Sequence, residues 1–160
     1  MKKVLFTILI ILISFVKGNA QIIKLDDLLE ISKLSVEEMK TELQNYWKLK
    51  LPIRTISEEG SETKHYVFVF NEGDKKQVIR KSGRLQYNES KTFWLTDFQF
   101  DDEELLNSIK KSLLDRSFNL EVNEKNRSVY NDGKRAIIIR SKYSDSDKTR
   151  VEFYEIRVIN

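Results

Sequence analysis

Residues 65–70, HYVFVF, are the strongest strand signal in the chain, because their side chains are β-branched or aromatic. A turn is expected at 71–74, followed by a short return strand over 76–81. Gly83 is expected in a second turn. Residues 92–100, TFWLTDFQF, form another aromatic-rich strand, so the region predicts an antiparallel meander.

Two amphipathic helices are predicted, one on each side of this meander. Ser35 has the pattern of an N-cap, with Glu38 completing a capping box, and apolar residues at helical spacing extend the helix over 36–48. The acidic run 101–104 predicts the start of the second helix, with Asp101 as its N-cap, because carboxylates are stabilised at the positive end of a helix dipole. Residues 25–34 predict only a helical turn or two.

Further strands are predicted in the remaining segments. Residues 48–56 alternate like a first strand, and Pro52 favours an edge position because proline cannot donate to the ladder. Residues 118–122 alternate as well, and the hairpin turn at 131–133 precedes the last two strands, 136–140 and 151–159. The order of elements predicts an α+β fold. We expect two helices packed on one or two antiparallel sheets of about seven to eight strands.

A faint internal duplication is suggested by the order helix, strands, helix, strands. The apolar residues of the first helix map onto those of the second at an offset of 70, which divides the domain 21–160 into sub-repeats 26–100 and 101–160. Trp47 and Phe118 occupy equivalent places after the helices, so both are expected to be buried. This layout resembles the tandem helix-plus-sheet arrangement of the β-lactamase-inhibitor proteins; the likeness is architectural, and architecture does not assign a function.

Residues 1–20 have the pattern of a signal peptide. Lys2 and Lys3 precede an apolar run of thirteen residues, and Gly18 and Ala20 supply the small residues that signal peptidase needs for cleavage after Ala20. Thirteen helical residues span only about 20 Å, less than the hydrocarbon core of a bilayer. The sequence therefore predicts export to the periplasm or the medium, with no transmembrane segment in the mature chain.

Charge and cysteine content exclude several classes of function. The formal net charge of +3 comes from Lys2, Lys3 and Lys17, so residues 21–160 carry equal numbers of basic and acidic side chains. Nucleic-acid binding, which depends on a basic excess, is therefore not expected. The chain has no cysteine, which excludes thiol catalysis and disulfides and, in an exported protein, favours a bacterial envelope or secreted protein.

The sequence offers little for catalysis or for a cofactor. It contains a single histidine, His65, so a histidine-rich zinc site cannot form, and no nucleophile elbow or phosphate-binding loop occurs. The acids at 101–104 are read as a helix start rather than a cation site, and Asp145 and Asp147 as a solvated loop rather than a Ca²⁺ site. We expect no catalytic residue, metal ligand or cofactor.

One stretch of charges and one pair of aromatic residues could mark an interaction surface. Five cations fall within ten residues: Lys75, Lys76, Arg80, Lys81 and Arg84. They indicate either a solvated edge strand protected by charge or a patch for an acidic partner or lipid headgroups. Phe93 and Trp94 lie on opposite faces of their strand, so one face is either covered a second time or exposed for binding.

Three hypotheses about function follow. The first is an exported, non-enzymatic binding module that recognises a protein or a cell-envelope partner through its sheet. The second is a periplasmic accessory protein with a structural role in the envelope. The third is a small hydrolase that uses carboxylates or a serine paired with His65.

Overall fold

A computed structural model describes residues 24–72, 75–87, 91–143 and 150–159. The described residues form three helices: α1 Leu25–Lys33, α2 Val36–Leu43 and α3 Glu103–Asp115. They also form nine strands: β1 Lys48–Leu49, β2 Arg54–Glu58, β3 Ser61–Glu72, β4 Lys75–Gln86, β5 Lys91–Phe100, β6 Asn119–Glu124, β7 Arg127–Asn131, β8 Ala136–Tyr143 and β9 Val151–Ile159. The α+β prediction is confirmed, with one helix and at least one strand more than expected. The predicted signal peptide, 1–20, and the loop with Asp145 and Asp147 lie outside the described residues.

All nine strands belong to one antiparallel sheet. Its order is β1-β3-β4-β5-β9-β8-β7-β6, and β2 also pairs with β3. The meander β3-β4-β5 meets the meander β7-β8-β9 where β5 pairs with β9. The sheet is therefore continuous across the two segments 26–100 and 101–160, and their origin by duplication stays a prediction.

The three helices pack on one face of the sheet, which we call the covered face. Directly opposed residues of an antiparallel sheet point to the same side, so the registers define a continuous apolar row across four strands. None of its members is more than 1% exposed: Phe68, Ile79, Phe98 and Ile156. Each helix adds a residue to the same cluster that is fully buried: Leu28, Met39 and Ile109. Burial of this row against the helices is the main source of stability in the fold.

Hydrogen bonds between residues close in the chain are found at the ends of helix α2. The Ser35 capping box is confirmed, because Ser35 Oγ accepts from Glu38 N at 3.2 Å while the Glu38 carboxylate accepts from Ser35 N at 2.7 Å. Helix α2 ends at Leu43, earlier than predicted. Trp47, whose backbone N–H donates to the carbonyl of Leu43, packs its ring 5.5 Å from that of Phe70. Trp47 and Phe118 are both 3% exposed, as expected.

Two other helix starts differ from the prediction. The cap of α3 is Asp102 rather than Asp101, because its Oδ1 accepts from Leu105 N at 2.9 Å. Helix α1 is a full nine-residue helix, since Leu25 and Leu28 are buried in the core and Asp26 pairs with Arg116 at the end of α3.

Strand β4 corrects the interpretation of its region. The strand pairs with β3 on one side and β5 on the other, so it is central and not a charge-protected edge. Gly83 lies inside β4 and not in a turn. The reason is packing, because a Cβ on Gly83 would lie 2.8 Å from two ring carbons of Trp94. A glycine is needed there for close approach rather than for chain reversal.

Candidate functional site

The face of the sheet opposite the helices is the candidate functional site, and we call it the open face. Its side chains belong to the residues that alternate with the apolar row in β3, β4, β5 and β9. On β4, β5 and β9 the covered face has Ile79, Phe98 and Ile156, and the open face has the next residue of each strand along the chain or before it. These are Arg80, Asp97 and Arg157, which are directly opposed to one another. The same strands therefore carry a hydrophobic core on one side and a charged surface on the other.

Positive charge is concentrated on the open face. Among the described side chains, the registers place nine cations there: Lys48, Arg54, Lys76, Arg80, Arg84, Arg127, Arg140, Lys142 and Arg157. They place four acids beside them: Glu58, Asp97, Glu124 and Glu155. Because residues 21–160 as a whole are neutral, this is a local separation of charge.

The centre of the open face is built on Asp97, which is 1% exposed. Its Oδ2 accepts from Nε and Nη2 of Arg80 at 3.1 and 2.9 Å and from Nη2 of Arg157 at 3.1 Å. Its Oδ1 accepts from Nε of Arg157 at 2.5 Å. The bond to Asp97 raises the pKa of the Arg157 guanidinium. Two guanidiniums thus hold both oxygens of one buried carboxylate.

Glu155 extends this network towards β8. Its Oε2 accepts from Arg80 at 3.3 Å and from the side-chain amide of Gln99 at 3.0 Å, and its Oε1 accepts from Arg140 at 3.2 Å. Glu155 is 5% exposed. The two buried carboxylates are therefore shared by three arginines, which leaves the network with a surplus of one positive charge.

A groove of about 530 Å³ lies beside the network. The floor of the groove is a row of three directly opposed residues on neighbouring strands, His65, Ser82 and Leu95. The next row on one side contains Arg84 and Phe93. The next row on the other side contains Arg80, Asp97 and Arg157. Successive rows on one face are roughly 7 Å apart, because side chains alternate along a strand. The short side chain of Ser82 between two arginines, in the order Arg80-Lys81-Ser82-Gly83-Arg84, produces the depression.

His65 and Ser82 are bonded to each other in the groove floor, with 2.8 Å between Nδ1 and Oγ. Partial burial lowers the pKa of the His65 imidazole, and Arg80 and Arg54 lower it further against an opposing effect of Asp97. The imidazole is therefore mainly neutral at pH 7.

The structure separates the residues predicted to form an interaction surface. Arg80, Arg84 and Phe93 line the groove, and Lys76 is exposed on the same face. Lys75 belongs to β4, but its side chain lies outside the described residues. The residues predicted to form one surface are therefore divided between the two faces, because Lys81 and Trp94 lie on the covered face.

Lys81 and Trp94 are the two members on the covered face. Lys81 is 4% exposed, and its Nζ donates to the carbonyl of Ser32 at 2.7 Å, close to the end of α1. Burial lowers the pKa of the Lys81 ammonium. Trp94 is 46% exposed, with its ring against Gly83 and 6.4 Å from that of Tyr66. Neither side chain reaches the groove.

Sequence reasoning did not single out Asp97, Glu155, Arg140 and Arg157. A signal was present, because Asp97 lies within the aromatic run TFWLTDFQF, and Glu155 and Arg157 occupy alternate positions in VEFYEIRVI. Charges at strand period inside apolar strands indicate a second, polar face. The partners of each charge depend on strand order, which the sequence does not show.

Two further findings concern the described part of the chain alone. No three side chains of the types that bind metals converge there into a potential metal site. The helices it contains are all too short or too polar to cross a bilayer.

No protein-family model, no curated protein and no solved structure matches this chain. The resemblance in layout to the β-lactamase-inhibitor proteins therefore rests on the order of the elements alone.

Proposed function

We propose that this protein is an exported, non-enzymatic binding module that captures an acidic protein segment on the open face of its sheet. The observation that carries the proposal is that, among the described side chains, nine cations and four acids share one face, although residues 21–160 carry no net charge. Complementary charge of this kind steers a partner to its surface and selects against partners of the same sign.

A protein partner is favoured over a nucleic acid by what lies between the cations. Asp97 and Glu155 neutralise part of the positive charge at the middle of the face, and Phe93 and Leu95 provide apolar contact beside the arginines. Acidic polypeptides bring both carboxylates and apolar side chains, which matches this mixture.

A role in binding also agrees with the state of the carboxylates. Asp97 gives both oxygens to Arg80 and Arg157, and Glu155 is held by Arg80 and Arg140. A general base must have a free lone pair within reach of the proton that it removes. These two acids are instead used to fix the guanidiniums in place.

The experiment compares two double charge reversals of equal size. Arg127→Glu with Lys142→Glu changes exposed cations of the open face, and Lys33→Glu with Lys111→Glu changes exposed cations of the helices. Binding of a fluorescein-labelled poly-glutamate is followed by anisotropy at low and high salt. We expect the open-face variant to bind about tenfold more weakly at low salt and the helix variant to stay within about twofold of the original protein.

Three results would contradict the proposal. These are an equal loss in both variants, no binding of poly-glutamate by the original protein, and tighter binding of a duplex DNA of the same charge. The last result would assign the face to nucleic acids.

A hydrolase is the second candidate, and the bond between His65 and Ser82 is the observation in its favour. In serine hydrolases a third group orients the histidine from its other side. Here Nδ1 faces the serine, and the nearby Asp97 is occupied by arginines. Ester hydrolysis that is abolished by both Ser82→Ala and His65→Gln would favour this candidate over the binding module.

Export is a separate part of the proposal and has its own test. Cleavage after Ala20 gives a protein that begins at Gln21, which mass analysis of the processed chain detects. Recovery in the medium or in the periplasm separates a secreted binding module from a periplasmic envelope accessory. Intact residues 1–20 in a washed membrane fraction would overturn this part.

A further inference from the structure

The groove beside the ion network differs in composition from the rest of the open face, because it contains more than charged side chains. It combines arginine side chains, one hydroxyl and an apolar wall within about 530 Å³. This volume is within the range of sites for small ligands or for a single residue of a partner.

We propose that the groove binds a carboxylate that carries an apolar group, with the carboxylate over Ser82 between Arg80 and Arg84 and the apolar group against Leu95 and Phe93. The inference rests on the proposed function, because it specifies a ligand for the same open face.

The guanidiniums around Ser82 retain donors for such a ligand. Arg80 and Arg157 use Nε and Nη2 for the carboxylates, and their Nη1 groups donate to no other described residue. Arg84 contacts Glu58 and Ser61 through Nη2, each at 3.2 Å, on an exposed part of the face. A guanidinium N–H donates a short, charge-assisted hydrogen bond to a carboxylate, so the remaining donors of these arginines match the ligand in charge and in hydrogen bonding.

The hydroxyl of Ser82 supplies a donor at the floor of the groove. Its Oγ lies 2.8 Å from Nδ1 of His65. When Nδ1 carries the imidazole proton, His65 donates to Ser82, and the proton of the Ser82 hydroxyl is free to bond to an anion. A carboxylate over Ser82 therefore favours this arrangement of the pair.

The apolar wall lies on the neighbouring strand. Leu95 is directly opposite Ser82, and Phe93 is directly opposite Arg84. Phe93 is 44% exposed on the open face. Adjacent strands are about 4.8 Å apart, so a group bonded to a carboxylate over Ser82 reaches this wall without crossing another charged residue.

A single negative charge suits the groove better than a doubly charged phosphate. Asp97 forms part of the same lining, and its carboxylate reduces the positive potential contributed by Arg80 and Arg157. The apolar wall provides no donor for additional phosphate oxygens. Two sources offer this chemistry, namely the carboxyl-terminal residue of a polypeptide and a free organic acid.

The experiment titrates the purified protein with 3-phenylpropionate and with the uncharged 3-phenylpropionamide, using calorimetry. A tripeptide that ends in phenylalanine, with either a free or an amidated carboxyl terminus, tests the peptide source in parallel. We expect dissociation constants on the order of millimolar for the acids and no binding of the amides, in keeping with the small size of the ligands. Tighter binding of the free tripeptide than of 3-phenylpropionate assigns the groove to a chain terminus, and the reverse assigns it to organic acids.

Variants then locate the site. Ser82→Ala and Arg84→Gln should each weaken binding of the preferred acid about tenfold, as expected for loss of a charge-assisted bond. Ser82→Thr, which keeps the hydroxyl, should retain binding, so that a loss in Ser82→Ala alone is assigned to the missing hydroxyl. Lys111→Gln, which changes an exposed cation of helix α3 outside the open face, is the control and should leave binding unchanged.

The outcomes separate this inference from the proposed function. Capture of poly-glutamate depends on Arg127 and Lys142, and it should persist in Ser82→Ala. If capture is seen but the acids do not bind, or bind equally well to Ser82→Ala and Arg84→Gln, the groove inference is wrong and the proposed function stands. If neither poly-glutamate nor the acids bind, both are wrong.

Discussion

The two faces of the sheet are stabilised by different kinds of contact. On the covered face, Phe98 lies between Ile79 and Ile156 and is inaccessible to solvent. On the open face, the neighbouring residue of the same strand, Asp97, is almost as deeply buried but lies between two arginines. The two faces therefore do not differ in how deeply these residues are buried. They differ in the contact that stabilises each residue: Phe98 needs only apolar neighbours, whereas Asp97 needs partners of opposite charge.

Because the contacts differ, amino-acid substitutions are expected to act differently on the two faces. Apolar contacts are non-directional, so the covered face depends on volume and packing. A buried ion pair depends on each partner, since removal of one leaves the other without compensation. The open face is thus specified by pairing and the covered face by shape.

Phe98 and Phe93 test the contrast with the same residue type on one strand. Phe98 is 0% exposed in the core, and Phe93 is 44% exposed on the open face. We expect Phe98→Ala to lower the free energy of unfolding by about 3 to 5 kcal/mol, because it removes a buried ring and leaves a cavity. Phe93→Ala should cost less than about 1 kcal/mol, since much of that ring already contacts water. Urea unfolding of both variants measures the difference, and equal losses would show that the open face is buried in solution.

Asp97 and Glu58 test the pairing on the open face. The Asp97 side chain is 2% exposed and pairs with two arginines, whereas Glu58 is 61% exposed and pairs with Arg84. Asp97→Asn keeps the shape but places an amide against guanidinium donors, and we expect a loss of about 2 to 3 kcal/mol because the arginines remain partly solvated. Glu58→Gln is the matched control and should cost less than about 1 kcal/mol. A smaller loss for Asp97→Asn than for Glu58→Gln would contradict the assigned role of the network.

The sequence predicts the covered face far better than the open one. The aromatic and β-branched residues of 65–70 and 92–100 locate the core strands, and the capping box at Ser35 locates a helix start to the residue. These signals are local, because each depends on neighbours in the chain. The Asp97–Arg157 pair joins residues 60 positions apart and exists because β5 pairs with β9. Such a contact follows from strand order, which single-sequence periodicity does not encode.

Gly83 shows the same limit within the covered face. The sequence predicts Gly83 in a turn, where glycines are common, but the residue lies inside β4. A glycine is needed there because the ring of Trp94, on the next strand, lies against its backbone. Gly83→Ala should lower the free energy of unfolding by about 1 to 2 kcal/mol, because the new methyl group collides with the Trp94 ring. In a Trp94→Ala background the same change should be neutral or stabilising, since alanine restricts the unfolded chain. A double-mutant cycle gives the coupling directly, and additive effects would mean that the ring does not lie over Gly83 in solution.

The smallest effect concerns the pH dependence of the open face, through His65. Burial first, and then Arg80 and Arg54, lower the pKa of His65 in the folded protein below its ordinary value of 6.5. The unfolded chain therefore binds more protons than the folded one as the pH falls below about 6.5, so the folded protein loses stability on acidification through this range. His65→Gln lacks this contribution and should lose less stability than the original protein between pH 7.5 and pH 5, as measured by urea unfolding at both values. Because the sequence contains a single histidine, its NMR titration is unambiguous, and we expect a midpoint below 6.5. A midpoint above that value, or parallel stability profiles for the two proteins, would show that the imidazole is stabilised as a cation and that Asp97 outweighs the arginines around it.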